Sequence, residues 1–196
     1  MNRALFVIDV QNDFTEGGAL GVDGGKAVAA GVTRFLAEHA QLYRVVFASR
    51  DWHSPVGDNG GHFALDGAPD FVTTWPPHCI AGTPGAEYDP EFDVSAVTIH
   101  IAKGDGRPAY SIFEGNADDG RSTAQILADE GITDVDLAGI ATDFCVRASA
   151  ADAIEHGRHV RILTDLVAAV DPAGSERALA DLARKGAELI ESTSAV

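Results

Sequence analysis

Six short apolar runs recur along the chain, at residues 4–9, 43–48, 97–102, 134–139, 159–164 and 187–190. They are too continuously hydrophobic for strands with one wet face, so they read as strands covered on both sides, as in a parallel sheet. Between most of them lie stretches of helical type, at 26–40, 122–130, 143–156 and 175–185. In the first, Val28, Val32, Phe35 and Leu36 recur near the helical period. Ser122 (or Arg121) and Ser175 stand at plausible helix starts, while Gly131, Gly157 and Gly186 stand just past the ends, the usual asymmetry of helix boundaries. Strand–helix alternation of this kind predicts an α/β fold, a parallel sheet with helices on both faces and right-handed crossovers.

One segment breaks the rhythm. Residues 51–90 have no clear period and are rich in Gly, Pro, His and Trp. A connection that long inside a compact domain is usually functional or disordered, and its Trp and Phe residues need burial, which argues for order. With no repeat and no low-complexity linker, residues 1–196 read as one domain carrying this long loop segment.

In open α/β sheets, ligands bind beyond the carboxyl ends of the strands. Asp9 ends the first run, Asp51 follows "VVFASR", Lys103 ends "VTIHIAK", and Cys145 follows the fourth run by a short turn in "GIATDFCVRASAADA". Each has an ordinary reading: a turn-forming Asp, a solvated Lys, a packed Cys. Together they aim two carboxylates, an amine and a thiol at one edge of the sheet. A helix start and a nearby ammonium both favour a thiolate, a carboxylate can take and return a proton, and helix-start N–H groups can hold an oxyanion. On that chemistry Cys145 is placed as an acyl-accepting nucleophile.

Asp51, His53, His62 and His78 form a second set, within "RDWHSPVGDNGGHF" and "WPPHC". Asp51 and His53 are two apart, on one side of an extended backbone. A carboxylate with three imidazoles suits one divalent transition metal, Zn, Fe or Mn; capping of loop carbonyls is the plainer alternative. The other histidines, His39, His100, His156 and His159, carry no catalytic role; His156, near a helix end, serves the helix dipole.

Composition narrows the partners. A net charge of −16 leaves no basic surface for nucleic acid or anionic lipid. No run approaches the roughly 20 apolar residues of a membrane span, and "MNRALFVIDVQNDF" lacks the look of a secretory leader. Two cysteines make no disulfide framework, so a cytoplasmic protein is expected.

The stretches "VIDVQNDF", "SRDWH", "WPPHCIAGTPGAE", "AKG", "YSIFEG" and "GIATDFCV", in that order from first strand to last, resemble the nicotinamidase/pyrazinamidase group of the isochorismatase-like cysteine hydrolases. The resemblance implies a three-layer α/β/α fold with a six-stranded, mainly parallel sheet. It implies a catalytic set of Asp9, Lys103 and Cys145, and a metal set of Asp51, His53, His62 and His78. It also implies an oxyanion hole from the N–H groups of Ala141 and Cys145, beside a cis peptide at Ile140–Ala141, with Phe14, Trp75, Ile140 and Ala141 around the substrate. The implied reaction is hydrolysis of nicotinamide to nicotinate and ammonia through a cysteine thioester, in NAD salvage, with pyrazinamide as a further substrate and a monomer or homodimer as the working form. The pattern departs at Phe144, where relatives often carry His or Tyr.

Two other classes share part of the pattern. Another small amide or carbamoyl compound would use the same residues. A phosphoryl-transfer site would use Asp9, Asp51 and Lys103, but three imidazoles suit Mg²⁺ poorly and Cys145 would then have no part. A non-catalytic binding domain would have no use for the complete Asp, Lys and Cys set.

Overall fold

The computed structural model describes residues 2–195. Its centre is a seven-stranded sheet in the order β4-β3-β2-β1-β5-β6-β7. The strands are β1 (Arg3–Ile8), β2 (Val45–Asp51), β3 (Ile99–Lys103), β4 (Asn116–Ala117), β5 (Asp134–Ile140), β6 (His159–Ala168) and β7 (Glu188–Ile190). All pair in parallel except β4, which runs antiparallel to β3. This corrects the expected count of six. The added strand is two residues long, too short to carry a periodic signal.

Successive residues of β1 point to opposite faces, as the pleat requires. Leu5 and Val7 pack with Val28, Val32 and Phe35 of helix α1 (Gly25–His39). Phe6 and Ile8 pack on the other face with residues of α2 (Thr123–Asp129), α3 (Arg147–Glu155) and α4 (Pro172–Arg184), among them Leu127, Ala150 and Leu182. Three layers result, with β1 fully covered on both sides.

Several boundaries move, for local reasons. β2 runs on to Asp51, so this carboxylate belongs to the strand and faces Lys103 of β3 in register. β3 begins late, because residues 94–96 form a short 3-10 turn. α4 starts at Pro172, since Asp171 accepts the N–H groups of Ala173 and Gly174, a favourable helix cap. The stretch around Cys145 does not start as an α-helix. Thr142–Val146 form a π-helical turn, and α3 begins only at Arg147.

The chain builds outward from β1 through β2 and β3, then returns to place β5 on the other flank of β1. That reversal opens a crevice at the carboxyl ends of β1 and β5, the usual ligand position in such sheets.

Candidate active site

Asp9 follows β1 directly, in a left-handed backbone conformation with φ 48°. Its side chain is fully buried. Ser49 donates its hydroxyl to Asp9 Oδ1 at 2.6 Å, and Lys103 Nζ lies 2.9 Å from Asp9 Oδ2. Lys103 is itself buried and touches three more groups. It bonds Asp51 Oδ1, reaches Ala109 O at 3.4 Å and sits 3.8 Å from Cys145 Sγ. The three residues drawn from β1, β3 and the turn after β5 are thus in contact.

Electrostatics sets their protonation. Burial alone would lower the Lys103 ammonium, but the charges of Asp51 and Asp9 outweigh it and hold the pKa well above the usual lysine value. Burial raises Asp9, with Lys103 pulling the other way and Asp51 adding to the rise. For Asp51 the desolvation is overcome, with the charge of Lys103 the largest opposing cause, so its carboxyl sits well below the usual range. Burial also pushes the Cys145 thiol well up; Lys103 opposes this, and Asp9 and Asp51 reinforce it. The resting sulfur is therefore a thiol, not the thiolate expected from a helix start and an ammonium. Burial is the largest cause, and the amine does not offset it.

The four residues of the second set also converge. The three imidazoles each offer one nitrogen, all within 4.8 Å of one another. Asp51 Oδ2 lies 3.6 Å from His53 Nε2 and 3.7 Å from His78 Nε2. His53 Nδ1 bonds Gly104 O and His78 Nδ1 bonds Pro76 O, each at 2.8 Å. Because these carbonyls only accept, both Nδ1 atoms carry the proton, and both Nε2 atoms keep a free lone pair. Gly104 allows this close approach, since a Cβ there would fall 2.6 Å from the His53 ring. His53 Nε2 and His62 Nδ1 are buried without a hydrogen-bond partner, an expensive arrangement for a polar atom unless a ligand meets it. The His62 pKa is lowered to about 4, by burial first and then by His53 and His78, so its ring is neutral and able to bind a cation. The donors present fit one divalent transition metal.

Between these two halves lies a cavity of about 300 Å³. Cys145, His62, His78 and Asp51 line it, so Cys145, though buried, borders open space. Phe14, Trp75, Ile140 and Ala141 are on its wall as well, and the Ile140–Ala141 peptide is cis. Trp75 Nε1 donates to Tyr110 OH at 3.0 Å, and Phe144 meets Trp75 edge to face at 5.0 Å. Phe71, about half exposed, stands at the rim.

Three further residues at the site, Ser49, Tyr110 and Phe71, carry weaker signals in the sequence. Ser49 is a small polar residue inside an apolar strand, which was a usable signal. Tyr110 opens the "YSIFEG" stretch, where nothing local marks its hydroxyl as a partner of Trp75. Phe71 belongs to the aperiodic segment, where nothing in the pattern separates wall from surface.

Residues 3–194 match the isochorismatase domain family. The chain is a member of that family, and its fold and paired sets of buried polar groups are those of an α/β hydrolytic enzyme. Among characterised relatives, the nicotinamidase/pyrazinamidase of Mycobacterium tuberculosis is 44% identical over 188 residues, covering 96% of this chain and 98% of the relative. The pyrazinamidase of Pyrococcus horikoshii, solved in complex with zinc, superposes with a TM-score of 0.82 at 36% identity, covering 97% of this chain and 99% of that one. A protein from L. infantum, solved in complex with nicotinate, superposes with a TM-score of 0.83 at 34% identity, covering 98% and 94%.

Proposed function

We propose that this protein is an amidohydrolase that converts nicotinamide to nicotinate and ammonia and also accepts pyrazinamide. The observation that carries the reading is that Lys103 meets both Asp9 and Cys145, while Cys145, Asp51, His62 and His78 line one cavity and His53 completes the imidazole group. Similarity to nicotinamidases supports the substrate.

The substrate ring lies between Phe14 and Trp75. Asp51, His53, His62 and His78 would hold one Zn, Fe or Mn ion, which as a Lewis acid would draw electron density from a heteroaromatic ring nitrogen. Asp9 takes the proton of the Cys145 thiol as the sulfur attacks the carboxamide carbon. The C–O π pair moves onto oxygen, where the N–H groups of Ala141 and Cys145 stabilise it, at roughly 3 kcal/mol per donor. The oxyanion collapses, the C–N bond breaks, and Asp9 returns its proton to the departing nitrogen, which leaves as ammonia. A water molecule, losing its proton to Asp9, then attacks the thioester; nicotinate leaves and Cys145 regains its proton. Throughout, Lys103 keeps Asp9 available as a carboxylate by offsetting part of its desolvation.

Among the described residues no helix is long and apolar enough to cross a membrane. The proposed setting is the cytoplasm, where the enzyme, as a monomer or homodimer, would supply nicotinate to NAD salvage.

The test is release of ammonia and nicotinate from nicotinamide by the purified protein, before and after chelation. Equal amounts of both products, loss on chelation and recovery on adding Zn²⁺, Mn²⁺ or Fe²⁺ are expected. No ammonia from either amide with metal-loaded protein would refute the proposal.

A further inference from the structure

The stretch Gln11–Asn12–Asp13 has no place in the reaction just described, yet its side chains are committed. The ladder between β1 and β2 stops at Val7 and Ala48, because the backbone turns away at Asp9. β2 continues alone on that side to Asp51. There the N–H and C=O of Asp51 face away from β3, and Gln11 meets both. Its Oε1 accepts the Asp51 N–H at 2.8 Å, and its Nε2 donates to Asp51 O and to Ala86 O, at 2.9 Å each. Gln11 is fully buried, so one side-chain amide replaces a missing strand at the residue whose carboxylate faces both Lys103 and the imidazoles.

Two residues on, Asp13 Oδ2 accepts the N–H of Cys79 at 2.7 Å. Cys79 follows His78 directly and holds a left-handed backbone, φ 46°, that a non-glycine residue seldom adopts. Gly85 presses on the same carboxylate; a Cβ there would lie 2.2 Å from Asp13 Oδ2. Between them, Asn12 bonds Pro84 O through its side chain at 2.8 Å and Glu87 O through its N–H at 2.9 Å.

We propose that Gln11 and Asp13 are positioning residues that hold Asp51 and His78 in register with Asp9, so that the metal-binding half and the nucleophilic half of the site share one turn as their common frame. Partners that orient metal ligands typically matter by about tenfold to a hundredfold in metal affinity. The inference rests on the metal reading of the imidazole set, and its test reads metal binding independently of turnover.

The experiment measures Zn²⁺ affinity of the metal-stripped full chain by competition with a chromophoric chelator, for wild type, Asp13→Ala, Asp13→Asn and Gln11→Met, with melting temperatures in parallel. Asp13→Ala and Gln11→Met are expected to weaken Zn²⁺ binding by about tenfold or more. Asp13→Asn, whose amide oxygen still accepts from Cys79, is expected to restore most of the loss. Wild-type Zn²⁺ affinity in Asp13→Ala, even with a lowered melting temperature, would reduce these residues to loop anchors and overturn the proposal. Should Gln11→Met not fold, the Asp13 pair alone decides. Failure of the unmodified chain to bind Zn²⁺ would instead overturn the metal reading itself.

Discussion

Lys103 Nζ lies 2.9 Å from Asp9 Oδ2, and neither side chain is exposed to solvent. The same ammonium bonds Asp51 and stands 3.8 Å from Cys145 Sγ. One buried cation is thus shared between Asp9 and Asp51, the carboxylate that faces the imidazoles.

Lys103→Met is therefore expected to harm stability as well as turnover. It leaves two buried carboxylates close together without their cation, and breaking a buried ion pair costs about 3–5 kcal/mol. Urea unfolding measures the loss; a variant as stable as wild type would mean that the ammonium is not what holds these acids in place.

Cys145→Ala is expected to abolish ammonia release while circular dichroism and Zn²⁺ content stay as in wild type. The sulfur packs at a cavity wall, so its loss enlarges existing space instead of creating a sealed void. Turnover at an undiminished rate in this variant would remove the sulfur from the mechanism.

The activity of the enzyme should fall on the acid side above the ordinary carboxylate range. Burial raises the Asp9 pKa from 3.8, and the base must be ionised to take the thiol proton, so kcat/KM falls as pH drops through that raised value. The stability sign is opposite. A group whose folded pKa is raised contributes most below its unfolded pKa, and that contribution is lost as pH rises through the folded value. Asp9→Asn should abolish activity and cost less stability than Lys103→Met, because the ammonium keeps Asp51 as its partner and a carboxyl with a raised folded pKa contributes little at neutral pH. An acid limb centred at or below 3.8 would contradict the assignment of Asp9 as base.

Asp136 offers the complementary case. It is buried near the amino ends of the strands, opposite the cavity. Arg3 Nη1 approaches it at 2.6 Å, Arg161 holds both oxygens at 2.8 and 2.6 Å, and Tyr43 OH donates at 2.8 Å. Asp136→Asn is expected to cost about 3 kcal/mol or more with kcat for nicotinamide little changed. A large fall in kcat with intact stability would show that the far end of the sheet is coupled to the site.

Much of the architecture was legible from local pattern. Strands buried on both faces advertise themselves as continuous apolar runs, and Asp9, Asp51, Lys103 and Cys145 drew notice because polar residues closing such runs have few structural reasons to be there. The strand Asn116–Ala117 is not legible because two residues carry no period, and it forms by pairing with Ile101 and Ala102 on one side and bridging to Ser122 on the other. The helical stretch after Gly139 was visible, but its opening π turn was not, because a π turn and an α turn draw on the same residues.

The chain's own order determined which chemical groups reach the carboxyl edge of the sheet: that follows from where hydrophobic runs end, a property of neighbours in sequence. Tertiary structure alone decided how near they come and in what protonation state. The folding of residues 51–90 brings His62 and His78 to His53, and burial first of all pushes the Cys145 thiol up. Both are effects of distance and dielectric between residues far apart in the chain, which no local pattern encodes.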